Sequence, residues 1–331
     1  MTVQDETTKQ NPIMKTLTTK KMAALFMVCI IGLSSCRKKE KEEIVTEEDT
    51  EQVSANDNNL AENISSDIEL MGSQVSENGS LSSFKSSAST TSAAELGLAS
   101  PCATVSGIGT KTITVDFGTT GCVSSLDGRT RTGKLIYDFS ASSPTTAIYY
   151  RNPGFSMKVT SQNYVVDGNQ VNIINKTITN TTSNSIPSGP NPGTNLTWSI
   201  SATISITKTN NTVISWNCNR TKELLNTSNT SCYQGQSTPI NWSLAQIQLN
   251  GSSSGTNAQG ETFTANASNL VRDMNCTPDP TRPGRHPFIS GTISYSPGIR
   301  RTRTINYGSA NSCDFNATLT IGNQTFTIVL P

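Results

Sequence analysis

The stretch NLTWSISATISITK, residues 195–208, alternates apolar and polar side chains along its whole length. The apolar ones share one parity: Leu196, Trp198, Ile200, Ala202, Ile204 and Ile206. Successive side chains of a β-strand point to opposite faces, so this spacing predicts one long strand, or two, with a single buried face. Similar runs recur from residue 102 to the end of the chain, separated by turn signals such as Asp-Gly and Asn-Gly.

The predicted body, residues 101–331, is therefore all-β and antiparallel, because no helical stripe follows residue 100. Its length of about 230 residues is enough for one large core or two small ones. We expect a meander or a sandwich, either as one body or as two related halves, 101–209 and 210–331.

The N-terminus has the layout of a secretory signal over residues 1–35. A basic segment begins at Met14, which is a second candidate for the true start, and the apolar run 22–33 follows it. That run is too short to span a bilayer as a helix. The segment LSSC ending at Cys36 resembles the lipobox of bacterial lipoproteins, which implies a diacylglycerol on Cys36 and a partner membrane. Arg37, where an inner-membrane lipoprotein would carry aspartate, implies the outer membrane, with surface exposure left open.

Residues 36–100 are rich in charge and then in serine, so we expect a lipidated flexible tether there. One short amphipathic helix is compatible with its pattern, because apolar residues recur at helical spacing: Leu60, Ile64, Ile68 and Met71.

The chain has eight cysteines, of which Cys29 lies in the predicted signal and Cys36 is the predicted lipidation site. The six others are an even number, which in an exported chain predicts disulfides. Two segments match each other: 102–122 and 276–313 both open on cysteine, pass through Ser-Gly, and return through VDFG or INYG to a second cysteine. Equivalent pairing within this internal repeat predicts Cys102–Cys122 and Cys276–Cys313, which leaves Cys218 to pair with Cys232.

The same segments resemble a group of uncharacterised Bacteroidota-type outer-membrane lipoproteins. The matching residues are CATV (102–105), VDFGTTGC (115–122), DGRTRTGK (127–134) and INYGSANSCD (305–314). The resemblance covers most of the body and implies location and architecture, but no activity.

The composition offers little for catalysis. The net charge is +1, which gives no reason to expect a nucleic-acid partner, and neither a metal motif nor a cofactor motif is present. The single histidine, His286, is expected in an exposed loop, and no nucleophile elbow occurs. Asp127 and Asp314 follow equivalent cysteines, which suits turn capping better than acid–base work.

Glycan binding is an alternative, because aromatic rings stack on sugars. The three tryptophans are in phase with apolar neighbours and are expected in the core: Trp198, Trp216 and Trp242. Tyr149 and Tyr150 are adjacent, so we expect one of the two to face solvent or a second layer.

Two Arg-x-Arg pairs occupy equivalent places: Arg129 and Arg131, then Arg301 and Arg303. Each pair is expected on one face of a strand, either as exposed charge that resists edge pairing or as a binding site for an acidic glycan or another anion. We therefore expect a non-enzymatic surface protein that binds a glycan or another surface protein. A carbohydrate-binding module or a hydrolase acting on extracellular polymer is the alternative.

Overall fold

The structure is a computed structural model, and it describes residues 47–78, 102–107, 109–183, 193–225, 232–235, 239–282, 284–298, 300–308 and 312–329. The predicted signal and Cys36 lie outside these residues.

One helix, one short 3-10 turn and fourteen strands make up the described secondary structure. The helix α1 spans Glu47–Asn78, and the 3-10 turn spans Trp242–Leu244. The strands are β1 (Thr104–Ser106), β2 (Thr112–Asp116), β3 (Cys122–Val123), β4 (Thr130–Asp138), β5 (Ser156–Val166), β6 (Asn169–Asn180), β7 (Leu196–Thr207), β8 (Val213–Leu225), β9 (Gln246–Thr256), β10 (Thr262–Asp273), β11 (Phe288–Pro297), β12 (Arg303–Asn306), β13 (Asn316–Ile321) and β14 (Gln324–Val329).

All fourteen strands belong to one antiparallel sheet whose order follows the chain, with β3 as a side branch on β4. The all-β meander is confirmed, and within the described residues no second sheet packs on it as a sandwich would require. β7 and β8 pair along their whole length across the boundary between the two predicted halves. The halves therefore share one sheet.

Residues 196–207 form β7, and the six apolar side chains that alternate along it are all buried. β8 continues the same alternation, but its inward positions include Arg220 and Lys222 beside Trp216. An inward row that mixes cations with apolar residues needs a polar partner, because a buried charge is costly unless it is paired.

That partner is α1. The sequence-based expectation of a flexible tether is wrong for residues 47–78, which form a 32-residue helix. Six glutamates, three aspartates and no lysine or arginine give this helix a strong negative charge. The predicted apolar positions pack in the core, with Ile64, Ile68 and Met71 almost fully buried and Leu60 partly so.

Polar side chains of α1 are buried as well, and each side of the helix meets a different part of the sheet. Glu62 binds Arg220 of β8 through two hydrogen bonds of 3.2 and 2.8 Å. Further pairs join the helix to other strands and loops: Asp57–Lys208, Ser65–Lys176, Asp67–Arg131, Glu69–Lys222 and Glu77–Arg151. Because these partners come from β4, β6, β8 and the connecting loops, the inward face of the sheet curves around the helix.

The disulfides Cys102–Cys122 and Cys276–Cys313 are both present, as the repeated segments predict. The third predicted pair, Cys218–Cys232, is not formed. Cys218 instead carries a free buried thiol. Its side chain shares the inward face of β8 with Trp216 and Arg220, and burial raises its pKa to about 12.

The two matching segments also share a turn. Asp116 and Asn306 each accept a hydrogen bond of 2.9 Å from the backbone N–H of the glycine two residues later. Both glycines, Gly118 and Gly308, have positive φ, which suits glycine best. The aromatic residue between them turns inward and is buried in both copies: Phe117 and Tyr307. The repeated sequence is therefore a strand ending closed by a side-chain cap.

Candidate functional site

A pocket opens where the middle of α1 faces the loop before β11. Its volume is about 680 Å³ including the open mouth. We call it the arginine pocket, and its lining comprises Asn59, Asn63, Asp67, Leu70, Asp127, Arg129, Arg272, Gly284, Arg285, His286, Pro287, Phe288, Tyr307, Asp314, Phe315 and Asn316. The enclosed part of this space is about 70 Å³. Its lining combines apolar walls with a few convergent polar groups, as ligand sites in proteins do.

Arg272, on β10, is the least neutralised charge of the arginine pocket. Its guanidinium donates one hydrogen bond of 3.2 Å to Asn63 Oδ1 and lies 4.5 Å over the ring of Phe288. Its Nε is fully buried and has no hydrogen-bond partner. No carboxylate of a described residue lies within 4.0 Å of it. The pKa of Arg272 is lowered to about 10, chiefly by burial. The negative charge of Glu62 acts to raise this pKa, and the positive charge of Arg129 acts to lower it.

Two more guanidinium groups reach the same space. Arg285 donates from Nε to the backbone carbonyl of Asp127 at 3.1 Å, and burial together with Arg129 lowers its pKa. Arg129 makes only long ion pairs, 3.7 Å to Asp67 and 3.9 Å to Asp167. Three arginines therefore converge on one pocket with incomplete neutralisation, which favours an anion.

His286 lies in the wall of the arginine pocket and is partly buried, contrary to the exposed position expected from the sequence. Burial lowers its pKa to about 4, so its ring is neutral at pH 7. Its Nδ1 lies 3.0 Å from the carbonyl oxygen of Cys276, to which a neutral ring donates its proton. The Nε2 atom of that tautomer is left as a hydrogen-bond acceptor.

The carboxylates of the pocket are already engaged. Asp127 caps its turn by accepting from the backbone N–H of Arg129 at 3.0 Å, and Asp314 does the same for Asn316 at 2.8 Å. Asp67 and Asp127 both bind Arg131. Burial acts to raise the pKa of Asp127, but hydrogen bonding and charge from Arg131 outweigh it and lower the pKa overall. A carboxylate held ionised in this way is a poor general acid.

The Arg-x-Arg pairs do not form exposed charged faces. Arg131 and Arg303 are fully buried, each facing inward on its strand. Arg301 is exposed and lies outside the arginine pocket, so only Arg129 of the four lines it. The sequence did not predict Arg272 or Arg285 as binding residues. Arg285 nevertheless lies next to His286 in the segment RPGRHPF, residues 282–288.

The tryptophans and the Tyr149–Tyr150 pair do not form an exposed aromatic surface on which a sugar could stack. All three tryptophans are buried, as their phase predicts. Tyr150 is fully buried, stacks on Trp198 with ring centroids 4.6 Å apart, and donates to Glu69 at 2.8 Å. Tyr149 is half-buried, and the guanidinium of Arg151 lies 4.1 Å over its ring. Neither tyrosine therefore presents an open platform.

Comparison with known proteins gives no relative: no family model, no curated protein and no solved structure matches the chain. Among the described residues, no helix combines the length and the apolar character that crossing a membrane requires. Within the same part of the chain, no three His, Cys, Asp or Glu side chains are grouped so as to hold a metal ion.

Proposed function

We propose that this protein is a non-enzymatic binding protein that holds a small anionic ligand in the arginine pocket. The observation that carries the proposal is Arg272, a partly buried cation whose Nε is fully buried without a hydrogen-bond partner and which has no ion-pair partner among the described residues. Removing part of a guanidinium group from water is costly unless its charge is compensated. A ligand anion would supply the compensation.

The chemistry of the pocket favours binding over catalysis. Its aspartates cap turns or bind arginine, so neither of the two carboxylate roles of a glycoside hydrolase is supported. The alternative, a hydrolase of extracellular polymer, rests on His286 alone, because its neutral ring could accept a proton.

An anion-dependent thermal shift tests the proposal. We expect acetate, sulfate, glucuronate or decanoate to raise the melting temperature, and by more the tighter the anion binds at equal concentration, since a ligand of the folded state stabilises it by mass action. Arg272→Gln should abolish the shift, whereas the exposed Arg301→Gln should leave it intact. A panel with no shift, or an unchanged shift in Arg272→Gln, would contradict the proposal.

The same variant separates a binding residue from a structural one. Removing one partner of a buried ion pair destabilises a protein by about 3–5 kcal/mol. Arg272 has no such partner, so Arg272→Gln without ligand should lie within about 1 kcal/mol of the parent or above it. Chemical unfolding in ligand-free buffer measures this difference.

We also propose that Cys36 anchors the protein to the outer membrane through a lipid. The proposal is supported by the layout of residues 14–36 and by Arg37 after the cysteine. Incorporation of labelled palmitate into the parent, and its loss in Cys36→Ser, would support the anchor. Fractionation and protease shaving of intact cells then determine the membrane and the face.

A further inference from the structure

A second cavity adjoins the arginine pocket between α1 and the sheet. Its enclosed volume is about 30 Å³, or about 360 Å³ when the open space around it is counted, and its lining comprises Ser66, Glu69, Leu70, Lys222, Ile247, Leu249, Arg272 and Phe288. We call it the apolar cavity, because Leu70, Ile247, Leu249 and Phe288 provide most of its wall.

Two of the three charged groups of the apolar cavity, Lys222 and Glu69, are paired with each other. Lys222 donates to Glu69 at 2.9 Å and to Tyr150 Oη at 3.1 Å. The ammonium group also lies 5.2 to 5.5 Å from the ring centroids of Tyr150, Trp198 and Trp242. Apart from Arg272 at its common wall with the arginine pocket, a ligand in this cavity would therefore meet apolar surface rather than a charge that needs a partner.

Three residues line both spaces: Leu70, Arg272 and Phe288. The guanidinium of Arg272 has one hydrogen bond to hold it, the one to Asn63, and rests on the Phe288 ring. Arginine has a long side chain with several rotamers. Turning it toward the arginine pocket would cost that one bond and would open the common wall.

We propose that the ligand is an amphipathic anion, with its charged head against Arg272 and Arg285 and its apolar chain in the apolar cavity. This proposal rests on the proposed function and adds the class of ligand. The head neutralises Arg272, and the chain removes apolar surface from water. A sugar acid would fit less well, because its hydroxyl groups would be buried against Leu70, Ile247 and Leu249 without hydrogen bonds.

A series of linear carboxylates tests the ligand class. Acetate, hexanoate, octanoate and decanoate share one head, so their affinities differ only through the chain. Calorimetric titration should show the dissociation constant falling about fourfold for each methylene group that enters the cavity. The protein for this test begins at residue 36 with Cys36→Ser, which keeps every element that the structure describes.

Two outcomes would overturn the ligand class. One is an affinity that does not change along the series, and the other is tighter binding of glucuronate than of decanoate. If acetate still binds in an Arg272-dependent manner, the proposed function survives and only the chain-binding inference fails. If no anion binds, both fail.

A cavity-filling variant locates the chain. Ser66 lies on α1 and lines the apolar cavity, so Ser66→Phe should fill it. The dissociation constants of the longer carboxylates should then no longer fall with alkyl-chain length, while acetate binding stays unchanged. Asn56→Phe, at an exposed position of the same helix, is the matched control and should keep the fall in dissociation constant with each added methylene group, which we call the slope. An unchanged slope in Ser66→Phe would contradict the proposed path of the chain.

Amphipathic anions occur free in solution and as bilayer lipids, and co-sedimentation with vesicles containing phosphatidic acid distinguishes the two sources. Binding of decanoate without recruitment to vesicles assigns a free amphiphile. Recruitment that decanoate competes away assigns a bilayer lipid. Absence of both would overturn the proposal.

Discussion

Gly72 marks the closest approach of α1 to the sheet. A Cβ atom placed on it would lie 2.6 Å from Met157 Sδ and 2.6 Å from Tyr137 Cε1. Both neighbours are fully buried, and Tyr137 is fixed further by a hydrogen bond of 2.9 Å from its hydroxyl to the carbonyl oxygen of Ile68. The helix therefore uses glycine in its interior for close packing.

We predict that Gly72→Ala destabilises the protein, although the same change in an exposed helix stabilises it by about 1 kcal/mol. Overpacking a filled core costs about 1–3 kcal/mol, and here Tyr137 cannot yield without losing its hydrogen bond. Urea unfolding measures the difference, with Asn56→Ala as a control on the exposed face. A more stable Gly72→Ala would show that α1 does not pack against β4 and β5 as described.

His286 gives the protein a pH dependence of stability. Its pKa in the folded state is about 4, lowered chiefly by burial from an ordinary value of 6.5. Between these values the unfolded chain binds a proton that the folded one does not. The stabilisation is therefore fully present above pH 6.5 and is lost as the pH falls toward 4, by up to about 3 kcal/mol.

The measurement is the difference in unfolding free energy between the parent and His286→Gln at pH 7 and at pH 4.5. The advantage of the parent should shrink or reverse at the lower pH. Glu77, whose pKa burial raises to about 7, titrates with the opposite sign in both proteins and cancels. An equal difference at the two pH values would place His286 in a solvent-like environment.

At the scale of elements, the strands were predictable, whereas for the helix the sequence indicated a short apolar stripe over residues 60–71 but neither the full length Glu47–Asn78 nor its place in the core. Alternation is a local property, so β7 could be read from residues 195–208 alone. The extent of the helix is hard to recognise because its buried side is polar as well as apolar, so the apolar stripe covers only part of its length. The missed signal lies in the strands, where Arg220 and Lys222 share parity with Trp216 and so demand an acidic partner.

The arginine pocket was missed for a related reason. It combines α1 with β10 and with the loop before β11, and no local pattern places residues 59–70 beside residues 272–288. Only Arg129 among the predicted binding residues reaches it. The capping aspartates, by contrast, accept hydrogen bonds from backbone N–H groups two residues later in the chain, so a local sequence pattern predicts them.

Because α1 neutralises the buried cations of the sheet, we predict that residues 101–331 do not fold alone. Without the helix, Arg131, Lys176, Arg220 and Lys222 would lose carboxylate or hydroxyl partners, each at a cost of several kcal/mol. Circular dichroism and thermal unfolding should show no cooperative transition for this fragment.

A synthetic peptide of residues 47–78 should restore the transition when it is added in trans. A peptide in which Glu62 and Glu69 are both glutamine is the matched control and should restore it weakly. A fragment 101–331 that unfolds cooperatively on its own would show that the helix is dispensable. It would also contradict the assignment of α1 to the core.

For the whole molecule, the disulfides lie near the two ends of the sheet. Cys102–Cys122 links the approach to β1 with β3, and Cys276–Cys313 links the segment before β11 with the segment before β13. These are also the regions where strands are shortest: β1 has three residues, β3 two and β12 four. Short strands contribute few hydrogen bonds, so covalent closure matters most there.

We therefore predict that Cys102→Ala/Cys122→Ala and Cys276→Ala/Cys313→Ala each lower the free energy of unfolding, by about 3 and about 4 kcal/mol, because loops spanning 20 and 37 residues gain freedom in the unfolded chain. Cys218→Ala is the control, since it removes a buried thiol without a bridge and should cost about 1 kcal/mol. Denaturant unfolding measures all three. A loss in Cys218→Ala as large as in the double variants, with a 218–232 link in non-reducing peptide mass spectra, would restore the third bridge and contradict the free thiol.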